Sequence, residues 1–386
     1  MTIDELQTNE ELRRHEFPVA HKKIFLAHSA ASPLPRRVAL ALNQFVAQCS
    51  EDSQDAPFPE SRFRQTRELA ARLIGAQTEE IAFVGPTSLA LSIAAAGLPL
   101  RKGDNILIYF DDYPSNVYPW TALAEKGVQV RLMNVRELGK IRPVDVMGQV
   151  DEQTRLVALS TCHFLAGFRP DLEAIGAYLR GRNILFGVDA IQTLGAFPIS
   201  VKHLDFLAAG AHKWLLGPCG AGIFYVRKAL QEMLVPKIYG WHNVRSPGFV
   251  AQEKFAFPPD GRRYETGTAN LSGLAGMQVA LELLLEVGVK NIAAELLRKR
   301  AWLVPVLQQK GWTVLQADAP AANASGIVSF YRAGAEPAVM AGLFQKLLEA
   351  GVEMSLRGDR AGQQYLRISA HFYNTDDELR RTLELL

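Results

Sequence analysis

Short apolar runs recur along the first two-thirds of the chain: IAFVG (81–85), NILIYF (105–110), VQVRLMNV (128–135), RLVALST (155–161), NILFGVD (183–189), DFLAAG (205–210) and AGIFYV (221–226). Each has the length of a strand, and most are too uniformly apolar to keep one face wet, which predicts buried strands. Between them, 87–97, 115–126, 171–181 and 191–195 read as helices. Strands alternating with helices predict an α/β fold with a mostly parallel sheet covered on both faces. Such sheets bind ligands at the carboxyl ends of their strands. The GPTS turn (85–88), Tyr113 and Asp189 fall at those ends.

The pattern changes near 235–262, where Pro, Gly and aromatic residues predict a long irregular crossing. LSGLAGMQVALELLLEVG (271–288) then has helical periodicity. A helix over 290–310, strand GIVSFY (326–331), helix 336–350, a Gly-rich loop 357–363, strand YLRIS (365–369) and a helix from 375 read as an α+β unit. The expected division is a large domain over 18–262, with 1–17 and 263–386 forming a smaller one. A chain of 386 residues that is 48% hydrophobic supports more than one core. Its net charge of +2, with no basic stripe, argues against a nucleic-acid partner. The charged N-terminus MTIDELQTNEELRRHEF is not a signal peptide, and no run of ~18 apolar residues predicts a membrane span. Cys49, Cys162 and Cys219 lack metal-ligand spacing and cannot all pair, so no metal and a reduced, cytoplasmic setting are expected.

Candidate chemistry centres on LDFLAAGAHKWLLGPCGAGIFYVR (204–227), where Lys213 stands among apolar residues and glycines. Desolvation lowers a lysine's pKa and makes the amine a nucleophile suited to a Schiff base. Asp189 ends an apolar run twenty-four residues earlier. A buried lysine and a buried carboxylate together suggest pyridoxal 5'-phosphate, the lysine holding the aldehyde and the aspartate the pyridine nitrogen. A turn lysine and a strand-end helix cap are the plainer alternatives. Thr87 and Ser88 open an apolar helix, whose free amides and positive dipole end suit a phosphate as well as they suit simple capping. His212 is a further phosphate candidate. His163 follows a strand and is a candidate for the cofactor's phenolic oxygen or the substrate, or else a packed histidine. Arg367 alternates out of an apolar strand; its planar fork matches a substrate carboxylate, against the alternative of a solvated strand arginine. The glycines of GPCGAG (217–222) read as letting backbone approach backbone beside Lys213.

VDAIQTLGAFPI, GAHKWLLGP, RRYETGTANLSGLAG and LRISAHFYNTDDEL occur in that order, and together they resemble the class V aminotransferase family of fold-type I pyridoxal phosphate enzymes. The resemblance runs from FLAHSAASPLP (25–35) to the last helix. It implies a fold-type I architecture, a large domain plus a smaller α+β C-terminal one. It implies that Gln192 donates to the cofactor's phenolic oxygen and that Tyr113 stacks on the ring, where core packing is the alternative. It implies that Thr268 and Asn270 in YETGTAN reach a neighbouring subunit's phosphate, making a homodimer with a shared active site; a domain-crossing turn is the alternative. His28 and Ser32 lie in the segment that closes over the substrate in relatives. Relatives commonly carry a serine three residues before the lysine, where this chain has Gly210.

The expected activity is on a small amino-acid substrate through an external aldimine. Transamination leads; epimerisation or racemisation and desulfurase-like β-elimination are alternatives, and a catalytically silent cofactor-binding protein stands last. Cysteine desulfurases need a thiol in the loop before the carboxylate arginine, and SLRGDRAGQQY (355–365) contains none.

Overall fold

The computed structural model describes all 386 residues. All seven apolar runs form strands: β1 Ile81–Phe83, β2 Asn105–Ile108, β3 Gln129–Leu132, β4 Thr154–Ser160, β5 Leu185–Asp189, β6 Phe206–Gly210 and β7 Gly222–Val226. They build one sheet in the order β1-β7-β6-β5-β4-β2-β3. Pairings among β2 to β6 are parallel, and β7 runs antiparallel to both its neighbours. β4, β6 and β7 are buried almost throughout, as strands covered on both faces must be. Helices α1 Arg36–Cys49, α2 Glu60–Ile74 and α3 Thr87–Gly97 pack around this sheet with α4 Leu271–Val287. Small residues let the layers close. A side chain at Gly187 in β5 would collide with the Phe206 ring on β6, and one at Gly222 would approach Gly85 O to 2.5 Å and Val84 O to 2.7 Å. The second contact is the backbone-on-backbone packing expected of GPCGAG.

A four-stranded antiparallel sheet, β8 Thr313–Val314, β9 Ile327–Tyr331, β10 Ser355–Gly358 and β11 Gln364–Ser369, has the order β10-β11-β9-β8. It packs with the C-terminal part of α5 Val289–Gln309 around a separate core that includes Leu303, Leu307, Phe330 and Leu366. The expected boundary at 262/263 does not coincide with this change in packing. α4 and the first turns of α5 belong to the large core through Leu274, Leu281, Leu284 and Ile292, while Ile24 and Leu26 join the small one. Sequence position put α4 after the crossing; its apolar faces put it against α1 and α2.

Three other expectations change. Residues 191–195 form turns, not a helix, and 115–126 is broken into short 3-10 and α segments around Pro119. The Gly-rich stretch 357–363 begins in a strand, because β10 continues through Gly358. No single helix is long and apolar enough to cross a membrane. All three cysteines are free, and no cluster of three or more His, Cys, Asp or Glu could hold a metal.

Candidate active site

Lys213 lies on the excursion that leaves the sheet at Gly210 and returns at Gly222. Its backbone is fixed from three sides. Within the turn, Leu216 donates to Lys213 O (3.0 Å) and Gly217 to Ala211 O (2.9 Å). From the N-terminal loop, Ser32 donates through its amide to His212 O (2.8 Å) and through Oγ to Lys213 O (2.7 Å). From the C-terminal segment, His371 Nε2 donates to Trp214 O (3.1 Å). The side chain enters a cavity of about 390 Å³. It is 6% exposed, and its ammonium sits 5.2 Å from the centre of the Tyr113 ring. Burial pushes its pKa down, Asp189 opposes that shift, and Arg367 and Arg357 add to it. A lysine so placed spends more of its time as the nucleophilic free amine.

Asp189, 2% exposed, ends β5 and faces the same cavity. Within the chain its carboxylate accepts one hydrogen bond, to Oδ1 from the Ile191 amide (2.9 Å). Burial raises its pKa, and the nearby Asp112 carboxylate adds to the rise against the Ile191 amide and Lys213. Such a group lacks a cationic N–H partner. Asp112, by contrast, is satisfied by Asn116 Nδ2 (3.0 Å), the Tyr113 amide (2.7 Å) and the Ser160 amide (3.1 Å) and hydroxyl. It therefore fixes the turn that presents Tyr113.

Anion-binding groups gather at one end of the cavity. Thr87 and Ser88 form the first turn of α3, where amides have no intrahelical acceptor. Thr87 Oγ1 accepts from Gly210 N (2.9 Å), which leaves its own hydroxyl proton free to donate. Ser88 Oγ shares a hydrogen bond with Ser115 Oγ (2.8 Å). His212 lines the same end, its pKa lowered by burial and then by Lys213. A Cβ at Gly210 would lie 3.2 Å from His212 Nδ1 and 3.4 Å from Thr87 Oγ1. The imidazole and the hydroxyl occupy the room that a serine side chain would need.

Arg367 is 1% exposed and also lines the cavity. Its Nη1 donates to Phe164 O (2.6 Å) and its Nη2 to Ser355 Oγ (3.3 Å), while buried Nε has no partner. No carboxylate balances it, and burial followed by Arg357 holds its pKa well below the usual arginine range. Gln192 also faces the cavity, although most of its amide is committed: Nε2 donates to Ser29 O and Oε1 accepts from Trp214 Nε1, both at 3.0 Å.

The structure does not bring the other candidates into this cavity. His163 is buried beside it, with Nδ1 accepting from Ala166 N and Nε2 donating to Asp111 O, both at 2.9 Å, so neither nitrogen is left for a ligand. His28 is buried behind it, donating from Nδ1 to Ser369 O (2.9 Å) and accepting at Nε2 from Tyr373 (2.7 Å). Both are packed histidines, the alternative open for His163 at the outset. Ser32 acts on the Lys213 backbone rather than on the cavity. Thr268 and Asn270 line a different cleft of about 220 Å³, and Asn270 caps α4 by accepting from Gly273 N (2.9 Å). Arg357, which sequence reasoning left in a loop, is a cavity residue. The pairing of β10 with β11 reveals it: Ser355 sits opposite Arg367, and Arg357 shares a face with Ser355.

The donors fit pyridoxal phosphate. The cavity pairs a buried carboxylate that has no ion-pair partner with a buried amine of lowered basicity, and it has a helix N-terminus with hydroxyls at one end and an aromatic ring over the amine. The aminotransferase class-V family model matches residues 24–382. A probable cysteine desulfurase of Methanothermobacter thermautotrophicus is 26% identical over 98% of this chain and 97% of its own length. An uncharacterized aminotransferase of Bacillus subtilis, YcbU, is 29% identical over 97% and 96%. Among solved structures, the complex of the cystine C–S lyase C-DES with its product cysteine persulfide matches with a TM-score of 0.85 at 23% identity, covering 95% of this chain and 98% of that one.

Proposed function

The chain belongs to the aminotransferase class-V family and takes pyridoxal phosphate as its cofactor, and from that premise we propose that it transfers the amino group of an amino acid, with Lys213 as the attachment and proton-transfer residue. The observation that carries this reading is the set of unbalanced charges in one cavity: the Lys213 amine, the Asp189 carboxylate and the Arg367 guanidinium, none with an ionic partner in the chain. When bound, the cofactor supplies an aldehyde for amine capture and a ring that withdraws electrons from the substrate α-carbon.

The chain's own groups do the rest. Asp189 holds a proton on the pyridine nitrogen, a charge-assisted bond that answers its raised pKa. Thr87, Ser88 and His212 hold the phosphate with hydroxyls, free amides and an imidazole. Tyr113 covers the face beside Lys213. Gln192 has one amide proton left for the phenolic oxygen. Arg367 would clamp the substrate α-carboxylate and so orient the α-carbon toward Lys213 Nζ, which would hold and return the α-proton. Thr268 and Asn270, which line a separate cleft, would serve the phosphate of a second copy in a homodimer, as the family resemblance implies.

A second reading, β-elimination at a sulfur amino acid, is favoured by the desulfurase and lyase names of the relatives. A relay through an enzyme thiol has no support: the β10–β11 hairpin carries no cysteine, and burial pushes the Cys162 thiol up to about 11. Direct elimination needs no such thiol. Incubating the holoprotein with an amino-acid panel, with and without a keto acid, separates the readings. Transamination predicts keto-acid-dependent exchange of the amino group; release without a keto acid of pyruvate, ammonia and sulfide from cysteine, or of pyruvate, ammonia and cysteine persulfide from cystine, would replace it with elimination.

A further inference from the structure

The cavity holds one guanidinium more than an ordinary amino acid needs. Lys213, Arg357 and Arg367 line it against a single carboxylate, Asp189. In the proposed site Asp189 answers the pyridine nitrogen and Arg367 the α-carboxylate, which leaves Arg357 unassigned. Its one hydrogen bond runs from Nη1 to the carbonyl of its neighbour Leu356 (3.2 Å), so most of its five donors are free. We propose that Arg357 reads a second anionic group on the substrate side chain, and that the substrates are amino acids bearing a side-chain carboxylate or an equivalent oxyanion.

The position of Arg357 is built rather than incidental. On β10 it lies two residues from Ser355, which pairs with Arg367 on β11, so both guanidinium groups leave the same face of the hairpin. The hairpin tip is clasped to the loop that follows β2. Arg360 Nη1 reaches Asp111 Oδ1 at 3.3 Å, and its guanidinium lies 4.9 Å over the Phe110 ring. Across the hairpin, Tyr365 donates to Asp359 Oδ2 (2.8 Å). Arg357 is close enough to Lys213 and Arg367 to lower the pKa of both. Arg357 is half-buried on this face with no carboxylate within the chain beside it, and the side chain of a dicarboxylic amino acid supplies an anion for it beyond the α-carboxylate already matched to Arg367.

The inference rests on the amino-acid reading of the cavity, and the experiment keeps the two apart. Holoprotein is assayed with aspartate, glutamate, alanine and 2-aminobutyrate, and the dissociation constants of glutarate and propionate, which lack an amine, are measured from their effect on the visible absorption band. The dicarboxylic amino acids are expected to exceed the neutral ones in kcat/KM by about 30-fold or more, and Arg357→Gln to erase most of that ratio through KM. Arg357→Lys should fall between, since it keeps charge but not the fork. Glutarate should weaken in Arg357→Gln by about 10-fold more than propionate. Equal losses for aspartate and alanine would assign Arg357 to the α-carboxylate and overturn the proposal. A preference for neutral amino acids in the unaltered protein, or cofactor loss in the variant, would overturn it too. If alanine reacts and the dicarboxylic amino acids do not, only this inference fails; if no amino acid alters the visible band, the reading beneath it fails as well.

Discussion

Two buried clusters of titratable groups lie back to back across the Lys213 loop, and they are built on opposite principles. Behind the loop, His28, His371 and Tyr373 sit fully buried with their partners inside the chain: His28 between Ser369 O and Tyr373 Oη, His371 between Phe372 N and Trp214 O. In front of it, buried Lys213, Asp189 and Arg367, with half-buried Arg357 beside them, form no ion pair within the chain, although Lys213 and Asp189 temper each other's shifts. Buried polar groups are normally satisfied, because an unsatisfied one costs about 1–3 kcal/mol. The rear cluster obeys that rule and holds the N-terminal loop to the C-terminal segment. In the front cluster Arg367 Nε is buried without a partner and Asp189 accepts a single amide hydrogen bond, a deficit that fits the groups of a phosphorylated pyridine aldehyde and an amino acid. Burial alone therefore does not mark a functional residue; burial with an open valence does.

Substitutions on the two sides should then have opposite signs in stability. The largest effect is expected at Lys213→Met: turnover falls by about 10³-fold or more, while the cofactor-free protein melts higher than the unaltered chain, since a desolvated amine without an ion-pair contact has been replaced by an apolar side chain. A lower melting temperature for that variant would show that the amine is satisfied after all. Arg367→Met should likewise stabilise the cofactor-free protein and raise KM by about 30-fold or more, corresponding to loss of about 2 kcal/mol in a charge-assisted carboxylate contact. At the rear, His28→Ala should cost about 2–4 kcal/mol by opening a cavity and stranding Ser369 O and Tyr373 Oη, with activity per folded molecule retained. Loss of activity in folded His28→Ala would return that residue to the substrate site.

Protonation sharpens the contrast. Burial lowers the His28 pKa from 6.5 to about 3, and His371 is also held well below the usual range. Between pH 3 and 6.5 the unfolded chain binds more protons than the native one. The stability from keeping these rings neutral is therefore present in full above pH 6.5 and is lost progressively as pH falls toward 3. His28 contributes a slope of about 1.4 kcal/mol per pH unit in that window, and His371 acts in the same direction. His28→Gln should flatten the acid limb of a stability–pH curve by one proton; an unchanged slope would mean that the ring titrates freely in the native state.

Much of this could be read from the sequence, for identifiable reasons. The strands were legible because seven apolar runs of strand length stand between polar or helical stretches. Lys213, Asp189 and Arg367 were legible because each is a charge inside an apolar run, where charge is conspicuous. Arg357 was not, because its neighbours in SLRGDRAGQQY are glycines and polar residues that read as a loop; only its register, set by Ser355 opposite Arg367, shows where it points. His163 stood open between a ligand and a packed role because one histidine after a strand looks the same whether its nitrogens meet a ligand or a carbonyl, and His28 was named only through the resemblance, which does not show that its nitrogens meet Ser369 O and Tyr373. Helix α4 was given to the wrong core because an amphipathic period says that a helix packs, not against what.

Whether Lys213 carries the cofactor is decided by reducing the holoprotein with borohydride and mapping its peptides by mass spectrometry. The phosphopyridoxyl mass is expected on the peptide containing Lys213 and on no other lysine; a fully loaded protein whose Lys213 peptide stays unmodified would refute that role.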